Sequence, residues 1–159
     1  MAKARAIPKG YRSITPNLVF RDASRAIDYY KKVFGATETV RMPGPGGKVL
    51  HAELKIGDSL IFVNDTIRDL PAGAAETPAY SPVSLHLYVK DADSVFKRAV
   101  EEGAQVKMPL QDMFWGDRYG QITDPFGQQW SIATHVEDVP PEEMSRRQQE
   151  AFSKAASQG

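Results

Sequence analysis

The sequence predicts an α+β protein of two tandem βαβββ modules followed by a C-terminal helical tail. Three observations lead to this prediction: strand-type alternation, amphipathic helices that begin after an aspartate, and a second copy of the strand-helix pattern later in the chain. The 159 residues suit one compact domain or two small fused modules. We therefore expect an internal repeat of roughly half the chain.

The first module begins with alternating apolar residues between Ile14 and Arg21, a pattern typical of a half-buried strand. Asp22 is suited to be the N-cap of an amphipathic helix that ends at Gly35. Turn residues then separate three further strands. These strands are predicted at about residues 37–43, 48–56 and 59–64.

The second module repeats this pattern. Residues Ser84–Asp91 superpose on Thr15–Asp22 without a gap, and both segments end in a basic residue and an aspartate. A second amphipathic helix follows, and then strands at about 105–113, 115–123 and 128–135. The predicted segments are a flexible arm at 1–11, the first module at 12–65, a linker at 66–81, the second module at 82–136 and a helix or tail at 137–159.

Composition narrows the functional classes. The formal net charge is zero, which gives no electrostatic argument for nucleic acid or an anionic membrane as a partner. The chain has no cysteine, so disulfides, thiolate metal sites and cysteine nucleophiles are excluded. The first ten residues lack the apolar run of a signal peptide, and no segment approaches the length of a membrane span. We expect a cytoplasmic protein.

The C-terminal segment has two interpretations. Prolines followed by two glutamates, with basic residues later, indicate the start of a helix. Met144 and Phe152 are its only large apolar residues. The segment is predicted either as a surface tail that frays from Ala155 or as an arm that docks on a partner subunit.

Several motifs carry a family resemblance. They are His51–Leu54 followed by Ile56–Asp58, Trp115–Gly120, and Asp124–Gly127 with Trp130. Together with the duplicated module they resemble the PhnB-like branch of the vicinal oxygen chelate superfamily, which includes glyoxalase I, extradiol dioxygenases and bleomycin-resistance proteins. The resemblance implies that each module curls into a half-open cup of a mixed sheet, with a small-molecule ligand enclosed and a homodimer as the assembly. One departure is Gln128, a position that is often His in this branch.

The resemblance also implies where a metal would lie. Metalloenzymes of the superfamily hold a divalent cation with four side chains, and these positions fall on Thr15, Ile61, Ser84 and Ser131. None of the four is a metal-binding His, Glu or Gln. No metal or other cofactor is therefore expected. The alternative is an unconventional divalent-metal site formed by His51, Glu53 and His86.

Other polar residues are candidates for ligand contacts. By alternation Asn17 and His86 are equivalent in the two modules, and His51 and Glu53 share a polar face. A histidine and a carboxylate in a partly apolar cavity could transfer protons, which makes His86 and Glu53 the catalytic candidates, or could simply bind a polar ligand. Structural histidines with satisfied hydrogen bonds are the competing interpretation.

The strand around Trp115 adds three further candidates. Trp115 and Tyr119 suit a cavity wall that stacks on a flat ligand, although core packing is an alternative. Arg118 could clamp a carboxylate or phosphate. Alternation places it on the opposite face from Asp117, so an ion pair that fixes the turn is equally compatible.

Two functions remain open at this point. The first is a small-molecule-binding protein of the glyoxalase/bleomycin-resistance type without a conventional metal centre. The second is a metal-dependent lyase, isomerase or dioxygenase of the same superfamily.

Overall fold

The computed structural model describes residues 4–66 and 83–158. The chain divides into two compact units, Met1–Glu76 and Thr77–Gly159. Most of the predicted linker lies outside the described residues, and its bounds stay a prediction. Each unit contains one four-stranded mixed sheet with a helix packed on one face, which confirms the predicted fold class.

The first unit has the element order β-α-β-β-β. Its elements are β1 (Asn17–Phe20), α1 (Ala23–Phe34), β2 (Thr37–Pro43), β3 (Val49–Ile56) and β4 (Ser59–Asp65). The Asp22 side chain accepts a hydrogen bond from the Arg25 amide, and Gly35 ends the helix with a left-handed φ of 66°. Both helix ends are therefore where the sequence predicts them.

The second unit repeats this order and adds one helix. Its elements are β5 (Ser84–Tyr88), α2 (Ala92–Glu101), β6 (Gln105–Asp112), β7 (Asp117–Thr123), β8 (Gln129–His135) and α3 (Pro141–Ser157). The Asp91 side chain caps α2 by accepting from the Ser94 amide. The C-terminal tail is thus a helix, and none of its described residues is buried.

The two sheets have the same topology, with strand orders β1-β4-β3-β2 and β5-β8-β7-β6. In each, the first strand pairs in parallel with the last, and the remaining neighbours are antiparallel. Residues of one face of each sheet pack against the helix to form the core. The most completely buried core side chains are Ile27, Tyr30, Val33, Leu54 and Val63 in the first unit, and Ile122 and Ile132 in the second.

A side chain at the end of the last strand holds the start of the helix in both units. In the first unit, buried Asp65 accepts hydrogen bonds from the amides of Ala23 at 2.8 Å and Val49 at 2.7 Å. In the second unit, the Thr134 hydroxyl accepts from the Ala92 amide at 2.9 Å and donates to the Val89 carbonyl. Asp65 and Thr134 therefore occupy equivalent positions.

Two strands begin later than predicted. β1 starts at Asn17 because Pro16 has no amide hydrogen for a ladder bond, and Ile14 is 85% exposed instead of lying with Leu18 on the buried face. β7 starts at Asp117 because the preceding residues form a turn, in which the Gly116 amide donates to the Met113 carbonyl. Trp115 therefore lies in this turn, before the strand.

Candidate functional site

Strand alternation brings a small polar cluster to the face of the first sheet that does not pack on α1. His51 and Glu53 are two residues apart on β3, and His51 Nε2 lies 3.0 Å from Glu53 Oε1. The Tyr11 hydroxyl donates to Glu53 Oε2 at 2.6 Å. Glu53 is only 9% exposed, so both of its oxygens have a partner in a largely dry position.

Opposing effects determine the pKa of Glu53. Burial raises the pKa of the carboxyl group, but hydrogen bonds from Tyr11 and His51 outweigh burial and hold the pKa below its usual value. The pKa of Tyr11 is raised by its hydrogen bond to Glu53, by burial and by the negative charge of the Glu53 carboxylate. Because an ionised carboxylate can only accept, His51 Nε2 carries the proton in this contact and Nδ1 faces away from it. A carboxylate that orients an imidazole in this way is half of an acid-base arrangement.

Apolar side chains surround this cluster. Phe62 on β4 contacts the His51 ring edge-on, with centroids 4.8 Å apart, and also approaches Tyr11. Val40 and Met42 on β2 pair directly with Glu53 and His51 and are exposed. Asn17 pairs with Phe62 and is exposed as well. The predicted residues Asn17, His51 and Glu53 thus belong to one amphipathic face.

The second sheet carries a different cluster on its corresponding face. His86 on β5 is paired with Ser131 on β8, and His86 Nδ1 lies 2.7 Å from Ser131 Oγ. The Tyr88 ring meets His86 edge-on at 4.5 Å, and the Tyr119 ring lies nearly parallel to it at 5.9 Å, with 22° between the planes. Trp115 contacts Tyr119 edge-on at 5.4 Å. Three of the predicted residues, His86, Trp115 and Tyr119, therefore form one aromatic group.

Asp117 lies beside this aromatic group and is 3% exposed. Its Oδ2 accepts from the Tyr88 hydroxyl and from Trp115 Nε1, each at 3.1 Å. Its Oδ1 lies 2.7 Å from His135 Nδ1. The carboxylate thus joins the strand β5, the turn before β7 and the end of β8.

Arg118 lies on the other face of β7. Its Nε and Nη2 donate to the two oxygens of Asp93 at 2.7 and 2.8 Å, and its Nη1 donates to Asp112 at 3.3 Å. This is the ion-pair arrangement, and it connects the first turn of α2 to the β6-β7 hairpin. The structure does not bring Arg118 to the aromatic group.

Three residues of these faces were not predicted from sequence: Tyr11, Tyr88 and His135. Alternation could have identified two of them, because Tyr88 follows His86 by two positions and His135 follows Ser131 by four. Tyr11 precedes β1 and lies 42 residues from Glu53 in the chain. No local pattern indicates that contact.

The donor set does not fit the superfamily's usual metal site. The strand register pairs Asn17 with Phe62 and His86 with Ser131, so the counterpart of Ser131 in the first unit is Phe62. Ile61, the counterpart expected when the final strands are matched at Gly57 and Gly127, is 6% exposed and lies on the helix side of the sheet with its partner Leu54. Neither Phe62 nor Ser131 is a good divalent-metal ligand. In residues 4–66 and 83–158, no group of three or more His, Asp or Glu side chains could hold a metal ion.

Two βαβββ units, each with polar and aromatic residues on the face away from its helix, define a protein of the vicinal oxygen chelate type. Residues 14–132 match the Glyoxalase/Bleomycin resistance protein/Dioxygenase superfamily. The chain belongs to this family, which confirms the resemblance in its motifs.

Comparison with individual proteins agrees with this assignment. The chain is 43% identical over 135 residues to the Uncharacterized protein Mb0911c of Mycobacterium bovis, covering 83% of this chain and 89% of that protein. The crystal structure of TioX from Micromonospora sp. ML1 has 28% identity and a TM-score of 0.62, covering 79% and 100% of the two chains. The PhnB protein from Bacillus cereus, at 21% identity and a TM-score of 0.63 over 77% of this chain and 99% of that chain, shares the fold. Among the described residues, no helix is long and apolar enough to cross a membrane.

Proposed function

We propose that this protein binds a flat aromatic or amphipathic small molecule through the sheet faces opposite its helices, without the metal centre usual in its superfamily. The observation that carries the proposal is the group of His86, Tyr88 and Tyr119. The ring centroids of Tyr88 and Tyr119 lie within 6 Å of the His86 centroid, and Tyr88 is 60% exposed. Exposed aromatic faces beside a hydrogen-bonding imidazole suit a ligand that stacks and also carries a polar group.

The first unit supports the same function with a different surface. Exposed Val40 and Met42 lie directly opposite the polar pair His51 and Glu53. A mostly apolar surface with a few oriented polar groups is typical of small-molecule sites. The two faces therefore offer two recognition chemistries, one aromatic and one acid-base.

Fluorescent probes test this function without knowledge of the natural ligand. We expect saturable binding of the anionic dye 8-anilinonaphthalene-1-sulfonate or of the cationic dye proflavine. Tyr119→Ala should weaken binding roughly 3- to 10-fold, since one aromatic pair contributes about 0.5–1.5 kcal/mol beyond its buried area. Phe152→Ala is the matched control, because Phe152 is a 63% exposed ring on α3. Equal affinity of the two variants, or no saturable binding of either dye, would contradict the proposal.

A metal-dependent lyase, isomerase or dioxygenase is the second candidate, and the Glu53-His51 contact is the observation that favours it. A carboxylate-oriented histidine is a usual component of proton-transfer sites. Elemental analysis of the purified protein separates the two candidates. Near-stoichiometric zinc, nickel, iron or manganese that is lost in His86→Ala would favour the enzyme. A metal-free protein would favour the binding function.

The proposal includes a homodimer in the cytoplasm. The dimer is inferred from the family resemblance, and the location from a composition without cysteine. Multi-angle light scattering of the full chain, compared with a chain that lacks residues 139–159, measures the oligomeric state and the part that α3 plays in it. A monomeric full chain would contradict the dimer. An unchanged mass after truncation would contradict the docking-arm interpretation of the tail.

A further inference from the structure

His135 has two carboxylate partners at short range. Its Nδ1 lies 2.7 Å from Asp117 Oδ1, and its Nε2 lies 2.7 Å from Asp138 Oδ1. The two acceptors differ in environment, because Asp117 is 3% exposed whereas the Asp138 side chain is fully exposed. The imidazole thus bridges a buried carboxylate on β7 and a surface carboxylate in the segment before α3.

The two short contacts favour a positive charge on the His135 imidazole. A neutral imidazole has one N–H and one lone pair, and an ionised carboxylate has no proton to donate. Two short contacts to two ionised carboxylates therefore require a proton on each ring nitrogen. Hydrogen bonds to Asp138 and Asp117, and the charges of both, raise the pKa of His135 above its ordinary value.

The buried partner of His135 also orients two rings of the aromatic group. Trp115 Nε1 and the Tyr88 hydroxyl both donate to Asp117 Oδ2. Tyr88 contacts His86 directly, and Trp115 contacts it through Tyr119. A change in the charge next to Asp117 therefore alters the hydrogen bonds that both of these donors make to it.

We propose that Asp117 and a cationic His135 are positioning residues, which fix Tyr88 beside His86 and Trp115 beside Tyr119 and make this face sensitive to pH. The effect on ligand binding rests on the proposed function, but the coupling of His135 to Trp115 through Asp117 can be tested without a ligand. It assigns a role to His135, whose ring nitrogens contact Asp117 and Asp138.

The charged groups around His135 come from every neighbouring segment. Asp117 belongs to β7 and Asp138 to the segment after β8, while Tyr88 and Lys90 line the same shallow surface depression from β5 and the residue pair after it. Burial opposes protonation of His135, whereas the two carboxylates favour it. The carboxylates are in hydrogen-bond contact, so their effect is the larger one.

Deprotonation of His135 has a defined structural result. One N–H remains and can stay on Asp117, while a lone pair then faces the carboxylate of Asp138 and repels it. The segment after β8 keeps its backbone attachment, because the amides of Val136 and Glu137 both donate to the Gly116 carbonyl. The expected change is thus a loss of charge beside Asp117 and not a detachment of α3.

Nuclear magnetic resonance can follow this titration in the protein without ligand. The sequence has three histidines, and the described chain has two tryptophans whose indole N–H groups both donate to an aspartate. We expect the His135 imidazole to titrate above pH 6.5 and the Trp115 indole proton to shift with the same midpoint. Trp130, which donates to Asp124 at 3.0 Å, is the internal control and should not follow that midpoint.

Two variants test whether His135 causes the shift of the Trp115 signal. His135→Gln should remove the titration of the Trp115 proton, while the Trp115 hydrogen bond to Asp117 remains. Asp138→Asn changes an exposed side chain, so the protein should fold, and the midpoint of His135 should move to lower pH. A His135 midpoint at or below pH 6.5, or a Trp115 signal that does not respond to it, would overturn the inference.

Dye binding distinguishes this inference from the proposed function. The affinity for 8-anilinonaphthalene-1-sulfonate should fall by about twofold or more as pH rises through the His135 midpoint, because a nearby positive charge is lost, and the affinity for proflavine should rise. His135→Gln should abolish both inflections. A coupled titration without dye binding would contradict only the binding function, whereas pH-independent dye binding with an unresponsive Trp115 would contradict only the positioning role.

Discussion

Ser131 Oγ lies 2.7 Å from His86 Nδ1, and the two residues are directly paired in the parallel ladder between β5 and β8. The family resemblance implies that Ser131 stands at a position that carries a metal ligand in metalloenzymes of the superfamily. In this chain the position is 5% exposed and its hydroxyl is hydrogen-bonded to an imidazole. The Ser131 hydroxyl is thus placed to orient the His86 ring.

Ser131→Ala should leave the fold intact and reduce the orientation of His86. One intramolecular hydrogen bond contributes about 0.5–1.5 kcal/mol, so we expect the dissociation constant of a bound dye to rise by about 2- to 10-fold. Isothermal titration of both proteins with the dye measures this change. The nearby Ser84→Ala, which alters an exposed serine on β5, is the control and should have little effect.

Glu53→Gln should destabilise the first unit by about 1–2 kcal/mol, because an amide can satisfy only one of the two donors that meet the Glu53 carboxylate. The pKa of Glu53 is lowered in the folded protein, so its contribution is present above pH 4.5 and is lost as pH falls through the folded pKa. Urea unfolding curves measured across the acid range should therefore converge for the two proteins. Tyr11→Phe removes one donor only and should lower the free energy of unfolding by less. A stability difference between wild type and Glu53→Gln that grows toward low pH would contradict the stabilising role of the ionised Glu53 carboxylate.

Asp65→Ala should be the most damaging of these substitutions. It leaves the buried amides of Ala23 and Val49 without their acceptor, which is expected to cost about 2–5 kcal/mol for the two groups. Hydrogen exchange at these two amides should accelerate more than exchange in the second unit. Asp58→Ala, at the exposed β3-β4 turn, is the control; an equal loss of stability in both variants would show that Asp65 has no special role.

Arg147→Ala should loosen the attachment of α3. Arg147 donates to Glu137 at 2.8 and 2.9 Å, to Glu143 and to the Phe114 carbonyl, so it connects the helix to the rest of the second unit. Exposed ion pairs are individually weak, and we expect exchange in the first turns of α3 to accelerate by about 3- to 10-fold with little change in global stability.

Arg146→Ala is the matched control for that measurement. Arg146 pairs with Glu143 and Glu150, both on α3 itself. Its removal should cost the helix these two weak ion pairs without altering the attachment of α3. If the two variants exchanged alike, Arg147 would not be the anchor of the helix.

Much of the fold follows from local patterns. Alternation and the repeat of Thr15–Asp22 at Ser84–Asp91 were sufficient to predict the eight strands and the first two helices, because an aspartate cap and an amphipathic stripe are encoded in neighbouring residues. The same alternation placed His51 with Glu53 and Trp115 with Tyr119. His51 and Glu53 share a strand, and Trp115 lies just before the strand that contains Tyr119. Sequence spacing therefore determines that the two members of each pair lie on the same face of the sheet.

Contacts between distant residues could not be predicted in this way. The Tyr11 hydroxyl reaches Glu53 from a segment without a repeating pattern, and Arg118 pairs with Asp93, which is 25 residues away on α2. His135 is predicted only as the end of a strand, since its two carboxylate partners become neighbours through the fold. Such through-space pairing determines the chemistry of the faces, whereas spacing determines only which face a residue is on.

The link between β3 and β4 is a tight turn at Gly57 and Asp58, whereas the link between β7 and β8 is the longer stretch from Asp124 to Gln128. A match of the final strands made at the turn glycines, Gly57 with Gly127, therefore runs out of step by one position, whereas the match that aligns Asn17 with His86 correctly aligns Phe62 with Ser131. Anyone wishing to build a metal ligand into the first half should substitute Phe62 and leave Ile61 unchanged, since a carboxylate at Ile61 would enter the packed core.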